Sequence, residues 1–167
     1  AGSGIKAYNS VPLVGTAITV KTRIADNLLF HKALDMAEPG DVIVVDASGD
    51  CVSALTGEIM MRYAMKKGIV GFVINGAIRD VKAVRGFTNF SVFAKEVTPR
   101  GPFKNGPGEI NVPIVCGGIV IKPGDIIAGD DDGVVVIPKE EAEDIFRKAK
   151  EKMNSETEKF EKIEEGA

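Results

Sequence analysis

The chain has 167 residues, 44% of them hydrophobic, enough for one domain with a substantial core. Its 21 basic and 24 acidic residues leave a formal net charge of −3, which argues against nucleic acid or an anionic membrane as the main partner. One histidine, no tryptophan and no C-x-x-C pattern argue against a zinc site built from Cys and His. No apolar run is long enough to span a bilayer and no signal peptide is visible. Cys51 and Cys116 lie far apart in apolar surroundings and read as buried free thiols of a cytoplasmic protein. Chemistry is therefore left to carboxylates, Arg, Lys, backbone amides, or a hard cation bound by oxygen.

Residues 1–12 are small and carry no period, so an N-terminal piece is expected to precede them in the full protein. A strand follows over Leu13–Thr22. Asp26 or Asn27 can cap a helix over 27–37, which presents Leu28, Leu29, Ala33, Leu34 and Ala37 on one face. His31 lies in that helix and reads as an outward-facing or core-edge residue. Pro39-Gly40-Asp41 is a turn into a buried strand over 42–45 that ends at Asp46. A second helix is expected over 58–67, with Thr56 as N-cap and Gly68 as its C′ stop. The apolar run 69–74 is a strand ending at the Asn75-Gly76 turn.

A short helical turn over Val81–Val84 and a strand near 91–94 come next. The Gly/Pro-rich stretch 98–109 has no period; a lid, an interface loop and simple surface wrapping are all compatible with it. Strands at 112–115, Ile119–Ile121, 126–128 and 134–137 suit an antiparallel or mixed region. Asp130-Asp131-Asp132-Gly133 forms a hairpin rather than a calcium loop, because the later Glu is missing. The stretch 139–163 is an amphipathic C-terminal helix whose charged end projects or packs on a neighbouring subunit. P-G-D-V-I-V-V-D (39–46) and P-G-D-I-I-A-G-D (123–130) read as two similar turn-strand units, not a solenoid repeat.

The candidate site spans 56–80. The start of the second helix and the loop after the next strand lie one helix and one strand apart, so they can meet at one sheet edge. The free amides of Gly57, Ile59 and Met60 suit a substrate carboxylate, and Gly57 lets it approach the backbone. Glu58 can position a water or serve as an outer ligand of a cation. Arg79 beside Asp80 suits an oxyanion bound to a metal: the carboxylate holds the cation, and the guanidinium neutralises charge on oxygen. The competing readings are a loop ion pair, or Asp80 capping the turn at Val81. No G-x-G-x-x-G follows a strand, so the 44–50 segment is a weak nucleotide signal.

Together V-G-T-A-I-T-V, P-G-D-V-I-V-V-D, the G-E helix start, V-I-N-G-A-I-R-D and P-G-D-I-I-A-G-D-D-D-G-V-V-V-I-P resemble the RraA-like family over nearly the whole chain. That family groups regulators of RNase E activity with class II pyruvate aldolases acting on 4-hydroxy-4-methyl-2-oxoglutarate and 4-carboxy-4-hydroxy-2-oxoadipate. Its pattern of an acid, a twenty-residue gap, then Arg-Asp falls on Glu58, Arg79 and Asp80. The resemblance implies a single α/β domain of the swivelling β/β/α type, with mixed sheets, flanking helices and a C-terminal helix. It implies Mg²⁺ or Mn²⁺ on Asp80, substrate contact and catalysis at Arg79 and Glu58, and a pyruvyl-binding helix start at Gly57, Glu58, Ile59 and Met60. It also implies a homotrimer or hexamer with sites between subunits, and either aldolase or oxaloacetate decarboxylase chemistry or a protein-binding role on a ribonuclease. The aldolases carry a further acid three residues after the Asp, where this chain has Ala83. No histidine is expected near the site, which leaves proton transfer to a metal-associated water.

Overall fold

The computed structural model describes residues 4–166. Its strands are β1 (Lys6–Ala7), β2 (Leu13–Thr22), β3 (Asp41–Asp46), β4 (Ala54–Thr56), β5 (Gly71–Ile78), β6 (Ser91–Val97), β7 (Gly108–Ile110), β8 (Ile114–Cys116), β9 (Ile119–Ile121), β10 (Ile126–Asp130) and β11 (Gly133–Ile137). The helices are α1 (Leu28–Met36), α2 (Glu58–Lys66), α3 (Val81–Val84) and α4 (Ala142–Glu164), the last preceded by a 3₁₀ turn over Lys139–Glu141. No helix among the described residues is long and apolar enough to cross a membrane.

One mixed sheet runs in the order β1-β6-β5-β3-β2-β10-β11. β2, β3, β5 and β6 are mutually parallel, and β1, β10 and β11 pair antiparallel. β4 extends the sheet beside β5, and β7 beside β2. The hairpin β8–β9 stands apart from it. The sheet curls back on itself: a Cβ added to Gly129 on β10 would stand 2.9 Å from the Phe93 ring of β6.

The alternation of side chains along β3 explains why the sheet is covered on both faces. Ile43 and Val45 point into a core with Phe30 and Leu34 of α1, Met61 of α2, and Phe72 and Phe90. Val42 and Val44 point the other way, against Leu13, Val73, Phe93, Ile114, Ile121 and Ile127. All four are fully buried, as an apolar run in a central strand requires. Phe72 meets Phe30 and Phe90 edge-on, both at 4.9 Å between ring centres, and each such pair contributes about 0.5–1.5 kcal/mol beyond burial.

The two P-G-D units are the same turn used twice. Asp41 Oδ2 accepts from the Glu38 amide at 2.8 Å, and Asp125 Oδ2 accepts from the Lys122 amide at 2.8 Å. Gly40 and Gly124 both have positive φ, at 91° and 87°. The strands they launch flank β2 on opposite sides, β3 parallel to it and β10 antiparallel.

Several sequence expectations shift. The Asn75-Gly76 turn is instead part of β5, which continues to Ile78 through a register break between Ile74 and Ala77. Asn75 is held in extended backbone because its side chain donates to Asp46 Oδ1 (3.0 Å) and its carbonyl accepts from Ala47 and Gly49. Gly76 packs against Ala47, Asp50 and Leu55, with no φ in the left-handed range. The strand expected at 112–115 begins at Ile114, after Asn111 turns the chain with φ 58°. The stretch 98–109 ends in β7, and its Phe103 bridges Asp26. Both cysteines are free, Cys116 buried and Cys51 half-buried. Burial pushes the Cys116 thiol up to about 12.

Candidate active site

The parallel pairing of β4 with β5 sets Thr56 opposite Ile78. The next residues of each strand, Gly57-Glu58 and Arg79-Asp80, therefore leave the sheet side by side, and the Arg79 amide donates to the Thr56 carbonyl at 3.0 Å. Both loops leave the carboxyl ends of parallel strands, where α/β folds expose their ligand sites.

The N-cap of α2 is Gly57, with φ −151°, and not Thr56. Thr56 is drawn into β4, and its Oγ1 is buried without a hydrogen-bond partner. The cap comes from across the cleft: Asp80 Oδ2 accepts from the Glu58 amide at 2.8 Å. Asp80 makes no side-chain cap to α3 and sits in left-handed backbone (φ 62°, ψ 35°), a conformation that Asp tolerates better than most residues. Gly57 makes room for this contact, because a Cβ there would collide with Asp80 Oδ2 and lie 2.9 Å from Arg79 Cγ, so both side chains would have to shift. At its far end α2 stops at Gly68 as expected. The amides of Gly68 and Ile69 donate to the carbonyls of Met65 and Ala64, closing a Schellman motif.

A cleft of about 320 Å³ opens in front of these two loops, lined in part by Gly57, Ile59, Met60, Arg79 and Asp80. The amides of Ile59 and Met60 belong to the first turn of α2, where the helix supplies no carbonyl for them. Arg79 and Asp80 are nearly half exposed, with Arg79 Nε 3.9 Å from Asp80 Oδ2. Glu58 faces elsewhere. Its carboxylate binds Arg62 Nε at 2.7 Å and lines a shallower hollow with Lys82, Ala83 and Phe87, which shares Asp80 with the main cleft.

Three further residues of the cleft wall were not expected at the site from the sequence: Asn27, read as a helix cap, His31, read as an outward-facing or core-edge residue, and Lys104. Asn27 and His31 are four residues apart at the start of α1, a spacing that puts them on one face. Asn27 Nδ2 donates to the Leu55 carbonyl at 2.7 Å, while its Oδ1 is buried without a partner. The expectation of no histidine at the site is corrected, because α1 starts right after β2 and lays its first turns along the cleft. Lys104 arrives on the 98–109 stretch, anchored by the buried Asp26. Asp26 Oδ1 accepts from the Leu28 amide, and its Oδ2 accepts from Asn105 (2.7 Å) and Gly106 (3.0 Å). Burial works to raise the Asp26 carboxyl, but the three amides together pull it below its usual range.

The donor set bears on a cation. Asp80 Oδ1 takes no hydrogen bond among the described residues, and no group of three or more His, Cys, Asp or Glu there can cage a metal. One free, exposed carboxylate oxygen is compatible with a hard divalent ion that keeps most of its waters, and not with an all-protein cage. Around it, Arg79, Lys104 and the first-turn amides of α2 line the cleft with positive charge and unpaired donors, chemistry that suits anionic oxygen.

The RraA-like family model (Aldolase/RraA) matches residues 1–136. A protein of Halalkalibacterium halodurans named "Putative 4-hydroxy-4-methyl-2-oxoglutarate aldolase" is 49% identical over 151 residues, covering 90% of this chain and 71% of that protein. The solved structure of the RNA-processing inhibitor RraA from Thermus thermophilis is 31% identical, with TM-score 0.76 over 83% of this chain and 84% of that one. An uncharacterized protein from Pseudomonas syringae pv. tomato superposes with TM-score 0.87 at 29% identity, over 99% of this chain and 80% of that one. On the family match and the 49% identity, this chain belongs to the RraA-like family.

Proposed function

We propose that the protein is a divalent-cation-dependent lyase that cleaves a carbon–carbon bond of a small 2-oxo acid and leaves the enolate of pyruvate. The observation that carries this reading is the meeting of Arg79, Asp80 and the first-turn amides of α2 at one cleft. The name of the 49% identical relative supports it. In this reading the substrate carboxylate lies on the amides of Ile59 and Met60. The Arg79 guanidinium faces the 2-oxo oxygen and neutralises the charge that develops there. Asp80 holds Mg²⁺ or Mn²⁺, which when bound supplies Lewis-acid polarisation of the 2-oxo group. Glu58, tied to Arg62, orders water beside Asp80 from the adjoining hollow.

The test is pyruvate release from 4-hydroxy-4-methyl-2-oxoglutarate and from oxaloacetate, with Mg²⁺, Mn²⁺ or a chelator. Arg79→Ala is expected to lower kcat about 10²–10³-fold, and turnover equal to wild type would overturn the assignment. In the same reading the active form is a homotrimer or hexamer, supported by the uncovered Phe146, Met153, Phe160 and Ile163 of α4. Light scattering that finds only monomer removes that part.

A second reading is a protein that binds and regulates a ribonuclease. Ala83, in place of an acid beside Asp80, favours it, as does the likeness to the Thermus RNA-processing inhibitor. Ribonuclease inhibition together with no lyase activity under any divalent cation selects this reading.

A further inference from the structure

His31 is the chain's one histidine, and the structure sets it in the wall of the cleft that also holds Gly57, Arg79 and Asp80. Its position follows from α1. The His31 amide donates to the Asn27 carbonyl at 3.0 Å, so both side chains leave the same face of the helix. The ring is half-buried, and it also borders an apolar notch between α1 and α2 lined by Leu34, Ile59, Met60 and Tyr63. Neither ring nitrogen has a hydrogen-bond partner among the described residues.

The charged and titratable groups around it are Lys104 from the 98–109 stretch, Asp35 on its own helix, Tyr63 on α2, and Arg79 and Asp80 across the cleft. Burial lowers the imidazole below its ordinary value, Lys104 adds to that, and Asp35 opposes it. At neutral pH the ring is uncharged, with one nitrogen free to accept a proton. No other cleft side chain is so disposed. Arg79 and Lys104 are cations with no lone pair to offer, and the Asp80 oxygen left free by the Glu58 amide is the one the lyase reading gives to the cation.

We infer that His31 is the acid–base residue of the cleft, serving 2-oxo acids that carry a hydroxyl on C4. This role rests on the lyase reading. The imidazole accepts the proton of the C4 hydroxyl as the C3–C4 bond breaks. The hydroxyl oxygen becomes the carbonyl of one product, and the bonding pair passes to C3 and the 2-oxo oxygen as pyruvate enolate. The imidazolium then returns the same proton to C3, giving pyruvate and the neutral ring, so that no co-reactant is consumed. Decarboxylation of oxaloacetate breaks its bond by losing CO₂ and needs no base for that step.

The two reactions separate the role from mere structure. His31→Asn is expected to lower kcat for cleavage of 4-hydroxy-4-methyl-2-oxoglutarate about 100-fold, and to lower oxaloacetate decarboxylation far less. The fall of cleavage rate in acid, where His31 takes up a proton, should disappear in the variant. Because the imidazole signal is unique in the NMR spectrum, oxalate with Mg²⁺ should shift its titration in the wild-type protein independently of turnover. Equal losses in both reactions, wild-type cleavage in the variant, or an imidazole titration indifferent to oxalate would each overturn the role. A wild-type protein with neither activity removes the lyase reading itself, and this inference with it.

Discussion

Helices α2 and α4 are built by opposite means. α2 has nine residues, too few to stand alone in water, and is fastened at both ends by other parts of the chain. Asp80 caps its start, a Schellman motif at Gly68 closes its end, and Met60, Met61 and Ala64 are buried. α4 has 23 residues and buries none of them. It is laced instead by local ion pairs, Arg147 with Asp144 and Glu151 at 2.8 Å and Lys148 with Asp144 at 2.6 Å. The contrast teaches where the candidate site gets its precision. The start of α2 is a joint between two loops, so whatever moves the joint moves the chemistry.

The largest expected effect comes from breaking that joint. Gly57→Ala puts a methyl group into Asp80 and Arg79, and should cost about 2–3 kcal/mol in chemical denaturation. Lyase turnover should fall at least about 100-fold, since misplacing reacting groups by an ångström costs that much. Asp26→Asn comes next, at about 2 kcal/mol, because it sets an amide against donors now satisfied by a carboxylate. The folded Asp26 carboxyl lies below its ordinary value. Its contribution is therefore complete above the unfolded value, about 4, and is lost as pH falls through the folded one. Urea midpoints of wild type and variant should converge in acid.

Asp80 sharpens the comparison further. Asp80→Ala removes the cap of α2 and should cost about 1 kcal/mol. Asp80→Asn keeps an acceptor for the Glu58 amide and should recover most of that stability while leaving activity lost. Recovery of both would mean that the charge serves only the helix. The smallest effect belongs to α4: Arg147→Ala breaks two exposed pairs and should leave the melting of the sheet unmoved.

The same contrast explains which features the sequence makes legible. α1 announces itself by period and β3 by its unbroken apolar run, and Gly68 ends α2 where a left-handed glycine is the natural stop. The juxtaposition of Gly57-Glu58 with Arg79-Asp80 is legible too, because a helix and a strand of ordinary length return the chain to the same edge. Thr56 misleads as a cap, since the acceptor that satisfies Glu58 comes from 22 residues away. Asn75-Gly76 misleads as a turn, since Asp46 holds Asn75 in the strand. Asn27, His31 and Lys104 are out of reach for a related reason. They are gathered by the buried Asp26 and its amides, and no local pattern foretells that contact. The one available signal is the i, i+4 spacing of Asn27 and His31 just after the first long strand.

The doubled P-G-D phrase carries a lesson about reuse. A glycine-aspartate corner with its own internal clasp says only that the chain bends there, so it can launch β3 and β10 on either flank of β2. The strand beyond each corner is bespoke: Gly129 leaves room for the Phe93 ring, whereas Val45, at the matching place in β3, fills the helix-covered core. The corners are interchangeable parts, and the strands are not.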